Sequence, residues 1–239
     1  MCIFNNAMTI TRRTRKPCRQ TSFRPMPCSA ANPTHAIRQK ALTLGFVSIG
    51  FAPILTQRQA LGRLCGMTGE GRHGEMRYLE TGQQKRADPC QLLPGAKTLI
   101  SAALGYNLPE YTVPGPGMAR ISRHAVIEDY HRVLKRQLEQ LLDFIRSLYE
   151  GKLQAIIAVD SFPVLEKVWA ETARLGRTGK NTLLITPSSG SYVFLGEMLI
   201  DREIRESPPS LQGSCGACRI CLERDRKSTR LNSSHLAES

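Results

Sequence analysis

The sequence predicts an α/β protein, a layered mixed sheet with flanking helices. Three observations carry this reading. Short apolar runs with strand composition recur: VSIGF (47–51), TLISAAL (98–104), LQAIIAV (153–159), TLLIT (182–186) and YVFLGEMLI (192–200). Segments of helical period lie between them, and the two kinds alternate, as layered α/β folds require. The longest apolar stretch, 42–55, is interrupted by Gly45, Gly50 and Pro53 and falls short of the ~20 residues of a membrane span.

Taken in order, AIRQKALTLGF (36–46) reads as a short helix feeding the strand VSIGF. RQALGRLC (58–65) is a second helix, and RHGEMRYLE (72–80) a helical turn before a polar loop, TGQQKRADP (81–89). Pro94-Gly95 turns the chain into the strand 98–104. The clearest helix spans 126–149. Ile127, Tyr130, Leu134, Leu138, Leu141, Ile145 and Leu148 step by three or four along one face. Its other face carries Arg132, Lys135, Arg136, Glu139 and Asp143 and is expected to be solvated. LQAIIAV reads as a buried strand ending at Asp160. A helix follows from Ser161, its expected cap, with Pro163 near its start and Trp169 in its core-facing side.

The net charge is +13 over 239 residues, unevenly spread. Of it, +6 sits in residues 1–32, which hold no acid, and +2 in 224–239, leaving +5 for the body. A polyanionic partner is compatible with this balance but is not demonstrated by it. Residues 1–32 are expected to be a disordered or transit-like extension, or translation from a start codon placed too early. The body is expected to divide into a catalytic domain, 33–205, and a cysteine-bearing segment, 206–223.

Of the eight cysteines, three are clustered in CGACRIC as Cys215, Cys218 and Cys221. A chain of this size is not expected to be a disulfide framework, and the cluster reads as metal-binding in a reducing compartment. The C-x₂-C-x₂-C spacing opens a bacterial ferredoxin run, whose soft thiolates suit iron. Asp225 and Arg226 stand where that run continues with Cys-Pro. Asp160 is the second candidate: active sites of α/β folds collect at strand ends, and burial there would favour the protonated form that a general acid needs. The alternative is a turn or capping residue. GRTGKNT (176–182) fails as a phosphate loop, with Arg174 and Asn181 at required positions. Asp129-Tyr130-His131 gives an Asp-x-His fragment seen in some cobalamin-ligating proteins, but Leu134 replaces the expected Gly, and His131 reads as structural.

Seven stretches occur together in a known order: HGEMRYL, RADPCQLLPGAK, EDYHRVL, VDSFPVLEK, GKNTLLI, GSYVFLGEML and CGACRICL. In this order they resemble epoxyqueuosine reductases, from about Ile37 to Leu222. The resemblance implies a reductive-dehalogenase-like cobalamin domain, followed by a ferredoxin-like domain with two [4Fe–4S] clusters, of which 206–223 is a stub. It implies reductive removal of the epoxide oxygen from epoxyqueuosine in tRNA, the last step of queuosine synthesis. It also implies a cytoplasmic, monomeric enzyme served by an electron donor, with no membrane partner. Asp160 matches the family's proton donor and, with Arg86, Lys180 and Asn181, lines the implied cobalamin pocket. Cys215, Cys218 and Cys221 match three ligands of one cluster, whose fourth ligand comes from a second motif. The sequence departs from the family at His124 (usually Tyr), Ile127 (Gly), Arg174 (Gly) and Arg177 (Trp), and lacks a Trp near Leu64-Cys65. DRKSTRLNSSH (225–235) resembles translated adapter sequence, so 224–239 is expected to be foreign and the chain an inactive fragment. The alternative is a non-enzymatic iron–sulfur or zinc-stabilised module for electron transfer or RNA binding. A reductive dehalogenase would carry a twin-arginine signal, and Arg12-Arg13 lacks the apolar region that follows one.

Overall fold

The computed structural model describes residues 33–107, 115, 117–118, 121–160, 162–204 and 214–224. The expected extension 1–32, residues 205–213 and the tail 225–239 lie outside these residues. Among those described, no helix is long and apolar enough to cross a membrane.

The chain forms helix α1 (Pro33–Thr43), strand β1 (Phe46–Pro53) and helices α2 (Arg58–Gly69) and α3 (Gln83–Ala87). Strand β2 (Thr98–Gly105), the long helix α4 (Tyr130–Leu148), strand β3 (Ala155–Ala158) and helix α5 (Glu166–Thr172) follow. A small hairpin of β4 (Arg177–Thr178) and β5 (Leu184–Ile185) precedes β6 (Val193–Ile200), and α6 (Ile220–Arg224) lies in the cysteine segment.

The principal sheet has the order β1-β2-β6-β3. The layered α/β arrangement is as expected, but every pairing in this sheet is antiparallel rather than mixed. Strand alternation divides its central strands between two cores. On one side Ile100, Ala102, Met198 and Ile200 pack against Ile37 and Ala41 of α1 and the stripe Leu134, Leu138, Leu141, Leu142 and Ile145 of α4. On the other side Leu99, Ala103 and Leu199 meet Trp169, Ala170 and Ala173 of α5. Both faces are covered, so β2 reads as a continuous apolar run even though its neighbours are antiparallel. Gly196 lets α4 approach: a Cβ there would lie 2.8 Å from the Leu138 side chain.

Four local expectations are revised. The loop 81–89 contains a helical turn, α3, started by Gly82 in the left-handed conformation. The long helix begins at Tyr130, because Asp129 caps it by accepting the His131 N–H, and a separate 3₁₀ turn covers Arg123–Ala125. LQAIIAV shortens to β3, an edge strand with Ala155, Ile156 and Ile157 only half-buried. Helix α5 starts at Glu166 with Leu165 at its cap position; Ser161 lies outside the described residues.

Helix α5 ends in a Schellman turn. The Leu175 N–H donates to Ala170 O and the Arg174 N–H to Glu171 O, both at 2.9 Å. This turn needs a left-handed residue at position 174, and Arg174 has φ +62°. The family pattern's glycine at this place has a physical reason, since a side chain there crowds its own backbone. The adjoining Ala173 carbonyl packs onto Gly50 of β1, where a Cβ would lie 2.0 Å from it. Arg174→Gly is therefore expected to stabilise the fold by about 0.5–1 kcal/mol, read as a higher midpoint in urea. Gly50→Ala is expected to destabilise it by about 1–3 kcal/mol in the same assay.

Candidate functional site

Three element ends converge on Asp160. It follows β3 closely, with its backbone in the left-handed region at φ +52°. Tyr130 and His131 come from the first turn of α4, and Glu166 is the first residue of α5. The Tyr130 hydroxyl donates to Asp160 Oδ2 at 3.1 Å, and His131 Nε2 lies 3.1 Å from the same oxygen. From behind, Glu166 Oε1 accepts the Asp160 N–H at 2.8 Å. The Asp160 side chain is 60% exposed, so the expected burial does not fall on this residue. It falls on two glutamates beneath it.

His131 bridges two carboxylates, with Nδ1 2.8 Å from Asp129 Oδ1 and Nε2 facing Asp160. A neutral imidazole can donate from one nitrogen only, whereas both partners here are acceptors. The hydrogen bonds to Asp129 and then Asp160 accordingly raise the His131 pKa. The His131 bonds hold Asp129 below its ordinary value. Burial first, then the Asp160 hydrogen bond, pushes Tyr130 up to about 12, so its hydroxyl remains a donor. The half-buried Glu166 is pushed up to about 7, chiefly by desolvation; the Asp160 N–H opposes this and the Asp160 charge adds to it.

Glu197 is fully buried in β6, on the face turned toward α5. The Ser101 hydroxyl of β2 donates to its Oε1 at 3.3 Å, while Oε2 has no hydrogen-bond partner among the described residues. Desolvation, reinforced by the nearby Glu166 charge, raises its pKa well above the carboxylate range.

Tyr130 and Phe194 stack with centroids 4.1 Å apart and form a wall between two open cavities. One, about 250 Å³, is lined by Asp160, Glu166, Lys167 and the apolar side chains of Leu183, Leu184 and Leu195. The other, about 220 Å³, lies between Tyr106, Ile127, Val133 and the same wall. Phe162, Leu183 and Tyr192 leave apolar surface exposed nearby. Tyr106 extends the aromatic cluster, with centroids 4.5 Å from Phe194 and 5.6 Å from Tyr192.

The other residues singled out from sequence lie elsewhere. Arg86 donates to Tyr78 O and covers the Tyr78 ring, with its Nε buried and unpaired among the described residues. Asn181 Oδ1 accepts the Leu183 N–H, shaping the hairpin turn. Lys180, at that turn, donates to Gly216 O at 2.7 Å and Cys218 O at 3.0 Å. It thus reaches the loop of Cys215, Cys218 and Cys221, whose thiols are all free. Among the described residues no group of three or more His, Cys, Asp or Glu side chains is gathered as a metal site. Trp169 is wholly buried, as expected of a core residue. His131, which reads from sequence as structural, sits instead on Asp160, and Tyr130, Glu166 and Glu197 had no assigned role. Glu197 did carry a signal: it is the one charged residue in the apolar run YVFLGEMLI.

The buried glutamates fix a sign for stability against pH. Their native pKa values lie above the unfolded ones, so the native state binds more protons and stability falls as pH rises. For Glu166 the loss runs from its ordinary value of 4.5 up to about 7. Glu197→Gln keeps the shape and removes the buried charge. It is expected to match the parent near pH ~4 and to exceed it by about 1–3 kcal/mol at pH ~8, in denaturant melts at each pH.

A family profile described as epoxyqueuosine reductase QueG, DUF1730, matches residues 86–161, which include Arg86, Tyr130, His131 and Asp160. An epoxyqueuosine reductase of Gloeobacter violaceus is 42% identical over 192 residues, covering 80% of this chain and 59% of the relative. The solved epoxyqueuosine reductase of Streptococcus thermophilus superposes with a TM-score of 0.71 at 31% identity, over 81% of this chain and 52% of that one. A second, solved with a tRNA-Tyr epoxyqueuosine-modified stem loop, gives 0.69 at 30% identity, over 80% and 50%. The chain thus spans about 60% of the length of the Gloeobacter violaceus relative and two further curated relatives. Over that span the chain is similar, in sequence and in fold, to epoxyqueuosine reductases.

Proposed function

We propose that this chain is the catalytic, cobalamin-binding part of an enzyme that removes the epoxide oxygen from epoxyqueuosine in tRNA. The observation that carries the reading is Asp160, exposed at the mouth of an apolar-walled cavity and held by Tyr130, His131 and Glu166. A family relative solved with a modified tRNA stem loop supports the substrate class. The reading makes 33–205 the catalytic domain of a cytoplasmic, monomeric enzyme that draws electrons from a separate donor.

The surfaces around Asp160 fit a flat, apolar-faced macrocycle. Two adjoining open cavities share the Tyr130–Phe194 wall, and Phe162, Leu183 and Tyr192 expose apolar area beside them. In this reading Leu183, Leu184, Leu195 and Asp160, which line one cavity, would hold the cofactor, with Lys180 and Asn181 in the adjacent turn and Arg86 farther along the matched region. When bound, cobalamin supplies the electrons that break the epoxide carbon–oxygen bonds. The three cysteines are candidate [4Fe–4S] ligands, but three thiols fall short of a cluster's four.

Releasing the oxygen as water takes two electrons and two protons. Negative charge develops on the oxygen as its first bond opens, and a proton delivered there lowers the barrier. Asp160 Oδ2 is the atom placed to deliver it. His131, protonated between two carboxylates, can return a proton to that same atom, and exposed Asp129 links the imidazole to solvent. Tyr130, which stays protonated, fixes the carboxyl by donating to it.

Two measurements test this. Titration with cobalamin, followed by its visible spectrum, is expected to show saturable one-to-one binding, which the near-isosteric Asp160→Asn is expected to weaken without abolishing. With chemically pre-reduced cobalamin and a modified stem loop, that variant is expected to lose about 10²–10⁴-fold in single-turnover rate. Absence of cobalamin binding together with tight, salt-dependent RNA binding would instead establish the non-enzymatic module.

A further inference from the structure

We infer that Glu166 is a positioning residue for Asp160: a carboxylate latch that holds the left-handed turn after β3 and loosens when it takes up a proton. The inference rests on the proposed role of Asp160 and adds a residue, and a pH dependence, that this role does not require.

The geometry is direct. Asp160 stands at φ +52°, a left-handed conformation that is uncommon for a residue with a side chain, though Asp adopts it more readily than most. Two bonds from Tyr130 and His131 reach the carboxyl, but neither holds the backbone. The backbone N–H is held by Glu166 Oε1, at a distance of 2.8 Å that is typical of a bond to a charged acceptor. Because Glu166 opens α5, and α5 packs on β1, β2 and β6, the latch ties the turn to the rigid sheet.

The latch is poised to titrate. Glu166 faces Asp160 from the turn, His131 and Tyr130 from α4, and Glu197 from β6. Lys167, its neighbour on α5, turns its ammonium to Thr182 O at 2.9 Å. Glu197 is fully buried and leaves Oε2 unpaired among the described residues, so a charge on Glu166 and a charge on Glu197 oppose one another. Burial places the Glu166 transition at about 7. Above that pH the carboxylate grips the Asp160 N–H. Below it the neutral acid is a weaker acceptor, and the turn relaxes. Presentation of Asp160 therefore improves as pH rises through neutrality, opposite to the fall in global stability that the same groups cause.

Amide hydrogen exchange of the 239-residue chain tests this, with each rate corrected for its intrinsic pH dependence. Protection of the Asp160 N–H is expected to rise about tenfold in the parent from pH ~6 to pH ~8. Glu166→Gln, which keeps a neutral acceptor but cannot titrate, is expected to hold protection near the parent's low-pH level with a flat profile. Glu166→Ala is expected to lose about tenfold at pH ~8 while the amides of β6 stay protected. A pH-independent parent, or a Glu166→Gln profile that still rises, would overturn the latch; if the alanine variant does not fold, the glutamine profile alone decides. Exchange is read without cofactor or RNA, so failure of the latch leaves the catalytic reading standing. Failed cobalamin binding with the exchange pattern intact rejects the catalytic reading alone.

Discussion

The register of β6 against β2 is the constraint on which the rest of the structure depends. Eight residue pairs, from Thr98 opposite Ile200 to Gly105 opposite Val193, lock the two strands. This register sends Met198 and Ile200 to the α4 side and Glu197 and Leu199 to the α5 side. It sets Gly196 under Leu138, where only hydrogen allows the helix to close in. It also sets Phe194 flat against Tyr130, which fixes the first turn of α4 over the strand. A slip of one residue would reverse every one of these placements and move the buried carboxyl into the larger core.

From that register follows the electrostatic character of the site. Asp129, Asp160, Glu166 and Glu197 form a descending series of carboxyls, from solvent to the middle of the sheet. The outer two are exposed and share one imidazolium, which offsets their charge. The inner two lack a matching cation among the described residues, because Lys167 is turned away to the β4–β5 hairpin. Burial raises Glu166 and Glu197, whereas the His131 hydrogen bonds lower exposed Asp129, so depth and partners together separate acids of one chemical type.

Much of this is legible in the sequence. The helix stripe of α4 and the strands β1, β2 and β6 follow from period and composition, because packing on these elements is dense enough to dictate every apolar position. Asp160 is legible from its place at a strand end. The burial expected of it belongs to other residues, since nothing in LQAIIAV reveals that β3 lies at the sheet edge. His131 reads as structural because its partner is Asp160, 29 positions away, and periodicity carries no information about a hydrogen bond across elements. TLLIT is legible as a strand but shortens to β5, whereas its hairpin partner β4 escapes for a related reason: a two-residue strand is set by its turn and by contact with α5, not by any pattern of its own.

That hairpin shows how a single backbone requirement propagates. The Schellman turn at Arg174 redirects the chain out of α5 while Leu175 stays in the core. Gly176 then passes so close to Ile185 that a Cβ would meet the Ile185 carbonyl at 2.3 Å. The pairing of Arg177 with Ile185 follows, and it sets Lys180 at the tip, where its ammonium gathers two carbonyls of the cysteine loop. The left-handed turn at 174 is therefore the mechanical link between the helix that holds Asp160 through Glu166 and the loop that bears the cysteines. Arg174 carries that turn at φ +62°, in the region that favours glycine.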